Sequence, residues 1–153
     1  MKRILWLAVV ALTCALPASA AGPFRFYPLT PCRLVDTRQP ADAPILSHGA
    51  TRTFTIQGKC GVPSGAKAVA LNVTVIGPTG QGYLTVFPAG TARPIVSNIN
   101  YAGGESALAN GVIVPLGAST PDLSVFPYVI QPFGVQGQTH LVLDVSGYFD
   151  TAL

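Results

Sequence analysis

The sequence predicts an all-β fold, an antiparallel β-sandwich with jelly-roll or immunoglobulin-like connectivity. Three observations carry this expectation. Apolar residues recur with period two in one segment after another. Turn-forming clusters such as GVPSGAK, GPTGQG, PAGTARP, YAGGES, PLGAST and GVQGQ separate those segments. No window carries apolar residues at helical spacing over three turns, and sixteen Gly and fourteen Pro interrupt any such pattern.

The strands follow in order. Short ones are expected at 24–28 and 33–37. TRTFTIQ (51–57) sets Arg52, Phe54 and Ile56 against threonines. AVALNVTVIG (68–77) places Val69, Leu71, Val73 and Val75 on one face, with Ala70, Asn72, Thr74 and Ile76 on the other. GYLTVFP (82–88) alternates Leu84 and Val86 with Tyr83, Thr85 and Phe87. Further strands are expected at 96–101, 109–115 and 122–127. THLVLDVSGYF (139–149) closes the set, with Leu141, Leu143 and Val145 opposed to His140, Val142, Asp144 and Ser146. Many short strands joined by such turns indicate a sandwich or barrel, read here as a single domain over 21–153.

The first twenty residues read as a cleaved secretory signal. Lys2 and Arg3 precede an apolar run from Ile4 to Leu16, and Ala18-Ser19-Ala20 supplies the small residues of a cleavage site near Ala20. That run is too short for a span, which needs about 20 residues. A lipoprotein reading of Cys14 is opposed by Thr13, where a smaller residue is normal. The expected location is therefore secreted, extracellular or on the cell surface. Without Lys2 and Arg3, nine basic residues become seven against six acidic ones. No basic footprint remains, which argues against nucleic acid as a partner.

Two cysteines then remain, Cys32 and Cys60. In an oxidising compartment the leading reading is a single disulfide, stabilising by roughly 3–4 kcal/mol in the chain-entropy model. Two free thiols or half of a metal site are the alternatives.

Catalytic constellations are sparse. His140, Asp144 and Ser146 share a strand face, but His140 and Asp144 lie about 13 Å apart at roughly 3.3 Å per residue, too far to form a triad alone. Ser47-His48 falls in an expected loop. There is no G-x-S-x-G elbow, HExxH helix, P-loop or dinucleotide glycine fingerprint. The six carboxylates of 21–153 are scattered, and a calcium motif such as DxDxD is missing. No cofactor or metal is expected and no catalytic residue is assigned.

Binding is the remaining reading. Tyr83 and Phe87 share a face, and Tyr101 follows the Asn98-Ile99-Asn100 alternation. Rings for stacking beside amides for hydrogen bonding would make a sugar platform, so Tyr83, Phe87, Asn98, Asn100 and Tyr101 are the candidate ligand-binding residues. The competing reading makes these aromatics a second layer of core. The function expected is a non-catalytic extracellular module for adhesion or glycan binding, its partner a cell-surface glycan or an envelope protein. The alternative is a structural surface subunit that associates with itself through sheet edges or apolar faces. A small hydrolase is third, requiring His48 or His140 to meet a serine or carboxylate from elsewhere.

PLTPCRLVDTR, GKCGVPSGAKAVALNVTVIGPTGQGYLTVFPAG, ANGVIVPLG and LVLDVSGYF, in that order, resemble a recurrent all-β domain of bacterial exported proteins. It is found notably in actinobacterial and acidobacterial proteins, alone or appended to extracellular enzymes and surface proteins. The resemblance spans residues 27–149. It implies a sandwich-like fold and pairing of Cys32 with Cys60, and carries no settled activity.

TPCRLVDTRQP (30–40) concentrates charge in a chain with little of it. Strict alternation would put Cys32, Leu34, Asp36 and Arg38 on one side, with Arg33, Val35 and Thr37 on the other. A carboxylate between arginines has its ionised form stabilised, which suits a salt-bridged anchor better than an acid or base. Arg33, Asp36 and Arg38 are therefore expected to be a structural clip.

Overall fold

The computed structural model describes residues 23–151. The expected signal peptide, 1–20, lies outside the described residues. Strand β1 (Arg25–Asp36) is followed by β2 (Leu46–Ser47), β3 (Arg52–Phe54), β4 (Ala68–Ile76) and β5 (Gln81–Pro88). Then come β6 (Ile99–Tyr101), β7 (Ala107–Pro115), β8 (Leu123–Ile130) and β9 (Gln138–Asp150). All pairings are antiparallel. One sheet runs β1-β9-β4-β7, with β2 also on β9, and the other runs β3-β8-β5-β6.

That order decides between the two expected connectivities. Among the described strands, β5 and β6 are the only consecutive pair to hydrogen-bond. The remaining neighbours are distant in sequence, the wrapped order of a jelly roll. In an immunoglobulin-like sandwich several consecutive strands would lie side by side.

The core fills the space between the sheets. Val69, Leu71, Val73 and Val75 of β4, with Leu141, Leu143 and Val145 of β9, face Leu84, Val86, Leu123, Val125 and Val129. Apolar residues at every second position of a strand bury one face, and these strands keep that rule. The Cys32–Cys60 disulfide is formed, with Cα atoms 5.8 Å apart.

Several boundaries differ from the sequence expectation, each for a local reason. The strands expected at 24–28 and 33–37 are one strand, because both halves pair with the single long β9. Register shifts between Pro28 and Cys32 and between Arg33 and Val35 take up the interruption. β3 stops at Phe54 rather than at 57. The N–H groups of Ile56 and Gln57 donate instead to the Asp122 carboxylate, at 2.8 and 2.9 Å. β6 starts at Ile99 rather than 96, since Asn98 uses its side-chain oxygen to accept the Val86 N–H at 2.7 Å. β8 runs on to Ile130 through Pro127, whose carbonyl accepts from Gly49 N at 2.8 Å.

Candidate functional site

Two side-chain groupings stand out, on the outer faces of the two sheets. On the five-stranded sheet, the second register shift of β1 makes Leu34 an extra residue. Both Leu34 and Val35 are thereby buried, and Arg33 turns to the same side as Asp36. This corrects the strict alternation expected for 32–38, which put Arg33 and Asp36 on opposite sides.

The ionic contacts there are dense. Arg38 Nε and Nη2 donate to Asp36 Oδ1 and Oδ2 at 2.8 and 2.7 Å, and the Arg38 backbone N–H adds a third bond at 3.1 Å. Arg33 reaches Asp36 at 3.5 Å and holds Asp144 of β9 with two donors, at 2.9 and 3.2 Å. The Asp36 N–H donates to Asp42, while Arg52 caps the carbonyls of Asp42, Ala43 and Pro44. The hydrogen bonds from Arg38 hold the Asp36 carboxyl at about 2, below its ordinary 3.8. Arg33 is raised chiefly by its bond to Asp144, and Arg38 by its bond to Asp36. Every carboxylate in this grouping is occupied by a partner within the chain.

His140, Asp144 and Ser146, which share a strand face in the sequence, go to separate partners. His140 Nδ1 lies 3.1 Å from the buried Thr37 hydroxyl, Asp144 pairs with Arg33, and Ser146 Oγ approaches the Ala70 carbonyl at 3.5 Å. In the other candidate, Ser47 Oγ accepts from the Gln138 amide. His48 Nδ1 accepts the Val129 N–H at 3.1 Å, which leaves the proton of a neutral ring on Nε2. Among the described residues neither histidine hydrogen-bonds a serine or a carboxylate, and no cluster of three potential metal ligands occurs.

The outer face of the four-stranded sheet is different. Tyr83 of β5 and Tyr128 of β8 sit opposite each other in register, and their rings stack 5.1 Å apart at 9°. Phe126 extends the row at 6.4 Å from Tyr83, and the Arg93 guanidinium lies over Phe126 at 4.0 Å. At the other end, His48 packs against Tyr128 at 4.8 Å. The result is a ladder, Arg93–Phe126–Tyr83–Tyr128–His48, with Tyr128 38% exposed. Two clefts adjoin it. One of about 330 Å³ is lined by Tyr83, Arg93, Ile95, Val96, Ser97 and Asn100. The other, about 310 Å³, meets His48 and carries Ser47, Thr79, Gln131, Gln136 and Gln138.

The ligand-binding residues expected from sequence divide accordingly. Tyr83 and the exposed Asn100 line the first cleft. Phe87 and Tyr101 do not face solvent, being 5% and 6% exposed, which corrects their assignment. Segment 89–98 returns beside the sheet, Thr85 donating to the Val96 carbonyl, and Phe87, on the same face of β5 as Thr85, is buried. Tyr101 lies in the core and donates to the Tyr128 carbonyl at 3.1 Å, and burial pushes its hydroxyl pKa up. Asn98 spends its amide oxygen on Val86 and is an edge clasp.

Sequence reasoning missed Tyr128, Phe126, His48 and Arg93 as members of the ladder. It also missed Asp122, fully buried, whose two oxygens hold the Ile56 and Gln57 N–H groups. A lone carboxylate directly before an apolar strand is the signal that could have flagged Asp122. The ladder had no local signal, since its members come from four separate segments.

No protein-family model matches the chain, and no curated protein matches it. Among solved structures, the coat protein dimer of tobacco streak virus aligns over 92% of this chain and 92% of that one, at 10% identity and a TM-score of 0.41. At that score the likeness carries no information on function.

Proposed function

We propose that this chain is a non-catalytic extracellular binding module that holds a neutral glycan along the outer face of the four-stranded sheet. The observation that carries the reading is the aromatic ladder, with Tyr83 and Tyr128 stacked side by side and partly open to solvent. The ring surface that the stack leaves open offers apolar area for the hydrophobic face of a sugar ring. The flanking clefts supply hydroxyls and amides, which donate and accept in the paired fashion that vicinal hydroxyls need. Arg93 is the one formally charged side chain in the ladder, and its guanidinium is already seated on Phe126. A polyanionic ligand has little to recognise there. Export rests on the signal-like 1–20 segment, and detection of the protein in culture medium or on intact cells checks it.

Retention of the protein on insoluble cellulose and chitin tests the reading. Retention on at least one is expected, weakened roughly tenfold by Tyr128→Ala, equivalent to about 1.4 kcal/mol. Absence of retention on both, or retention indifferent to both Tyr128→Ala and Tyr83→Ala, overturns it.

A further inference from the structure

The two outermost strands of the five-stranded sheet, β1 and β7, are built in opposite ways. β1 carries the usual protections of an edge. Pro28 and Pro31 withhold N–H groups, two register shifts break its line, and Arg25, Arg33 and Asp36 add charge. β7, ALANGVIVP, has none of these within its length: no charge, no bulge, and a proline only at its last residue. Its nine residues pair with β4 in one unbroken register, from Ala68 opposite Pro115 to Ile76 opposite Ala107. Among the described residues, no backbone N–H or carbonyl of 107–115 bonds a segment other than β4, and only the Asn110 side chain reaches elsewhere, donating to the Asn98 carbonyl at 2.6 Å. Such an edge is a template for another strand.

We infer that the edge of β7 pairs antiparallel with β7 of a second copy of this chain, about a two-fold axis at Gly111. Self-pairing is chemically allowed here because an uncharged strand meets its own copy without opposing like charges, whereas β1 would bring arginines together. Centring on Gly111 uses the whole strand. It sets Leu108 beside Val114 of the copy, Asn110 beside Val112, and Ala109 beside the 65%-exposed Ile113. Leu108 and Val112 are only partly buried and pack at the rim of the core, so the second copy extends the core across the junction. On the solvent side Ala107, Ala109 and Gly111 keep the approach low. This inference is independent of glycan binding, since the ladder lies on the other sheet.

Sedimentation equilibrium and non-reducing gels test it, on protein expressed from the full-length sequence with its disulfide formed. The unaltered protein is expected to be dimeric at about 100 μM, where a micromolar Kd is populated. Gly111→Lys sets lysine against lysine and is expected to give monomers with unchanged circular dichroism. A Cβ at Gly111 meets no atom within 4 Å, so the fold accommodates the change. Gly111→Cys is expected to form a covalent dimer, because residues on such an axis lie about 4.5–5.5 Å apart, within disulfide range. Monomers at all concentrations up to about 1 mM, or a dimer that survives both Gly111→Lys and Ala109→Lys, overturn the proposal.

Discussion

The charged grouping around Asp36 and the aromatic ladder around Tyr128 lie on the outer faces of opposite sheets, and they spend their side chains differently. Around Asp36, each ionic partner is met by another residue of the chain, and the carboxylate is 4% exposed. Around Tyr128, rings stack on one another but keep solvent-facing surface, and hydroxyls and amides line the adjoining clefts. Groups already satisfied inside the chain contribute to stability. Groups left facing outward are available to a partner. The contrast teaches that the densest charge in a sequence can be spent entirely on partners within the chain.

Three measurements break or sharpen that comparison. The largest effect belongs to the disulfide that ties β1 to the loop at Cys60. Replacing Cys32 and Cys60 together by alanine opens a crosslink spanning 28 residues. A loss of about 3–4 kcal/mol is expected in denaturant unfolding, with retention on glycan unchanged below the transition.

The next effect is that of Asp36→Ala, which strands Arg38 and removes four hydrogen bonds. A loss of roughly 2 kcal/mol at neutral pH is expected, read as a fall in Tm of several degrees. The pH dependence carries a definite sign. Asp36 titrates at about 2 in the fold against 3.8 as its ordinary value. The unfolded chain therefore takes up the proton first as pH falls. The stabilisation is complete above about pH 4 and is lost as pH drops through about 2. Asp36→Ala is expected to flatten this part of the acid limb. Unchanged stability together with lost binding would move Asp36 from the clip to the site.

The smallest stability effect is expected at Tyr128→Ala. A side chain 38% exposed loses only part of its packing, so the cost is at most about 1 kcal/mol. The same variant carries the largest expected effect on glycan retention. A drop in Tm as large as that of Asp36→Ala, with retention intact, would erase the difference between the two regions.

β4 and β9 were legible because their core-facing apolar residues recur with a period of two. In β4 the expected inner residues are the buried ones, and in β9 Leu141, Leu143 and Val145 are buried as expected, joined by Val142, which alternation put on the outer face. Where legibility failed, a long-range partner intervened. Asp122 captures Ile56 and Gln57 and ends β3 early, though it lies 66 residues from Ile56. Phe87 alternates to the outer face as expected and is nevertheless buried, beside Thr85, which is held by the Val96 carbonyl of the returning segment. Within 30–40, a single register shift at Leu34 reversed the side on which Arg33 lies.

The amino-acid sequence by itself determined the all-β class, the core-facing residues of β4 and β9 and the pair of cysteines available to crosslink. Periodicity and composition are local, and these properties depend only on them. The tertiary structure alone decided the jelly-roll order, the burial of Phe87 and Tyr101, and the meeting of His48, Tyr83, Phe126 and Tyr128. Alternation states which residues share a face of one strand. It carries nothing about which distant strand lies alongside or which loop folds over that face, because those choices rest on packing among segments far apart in the chain.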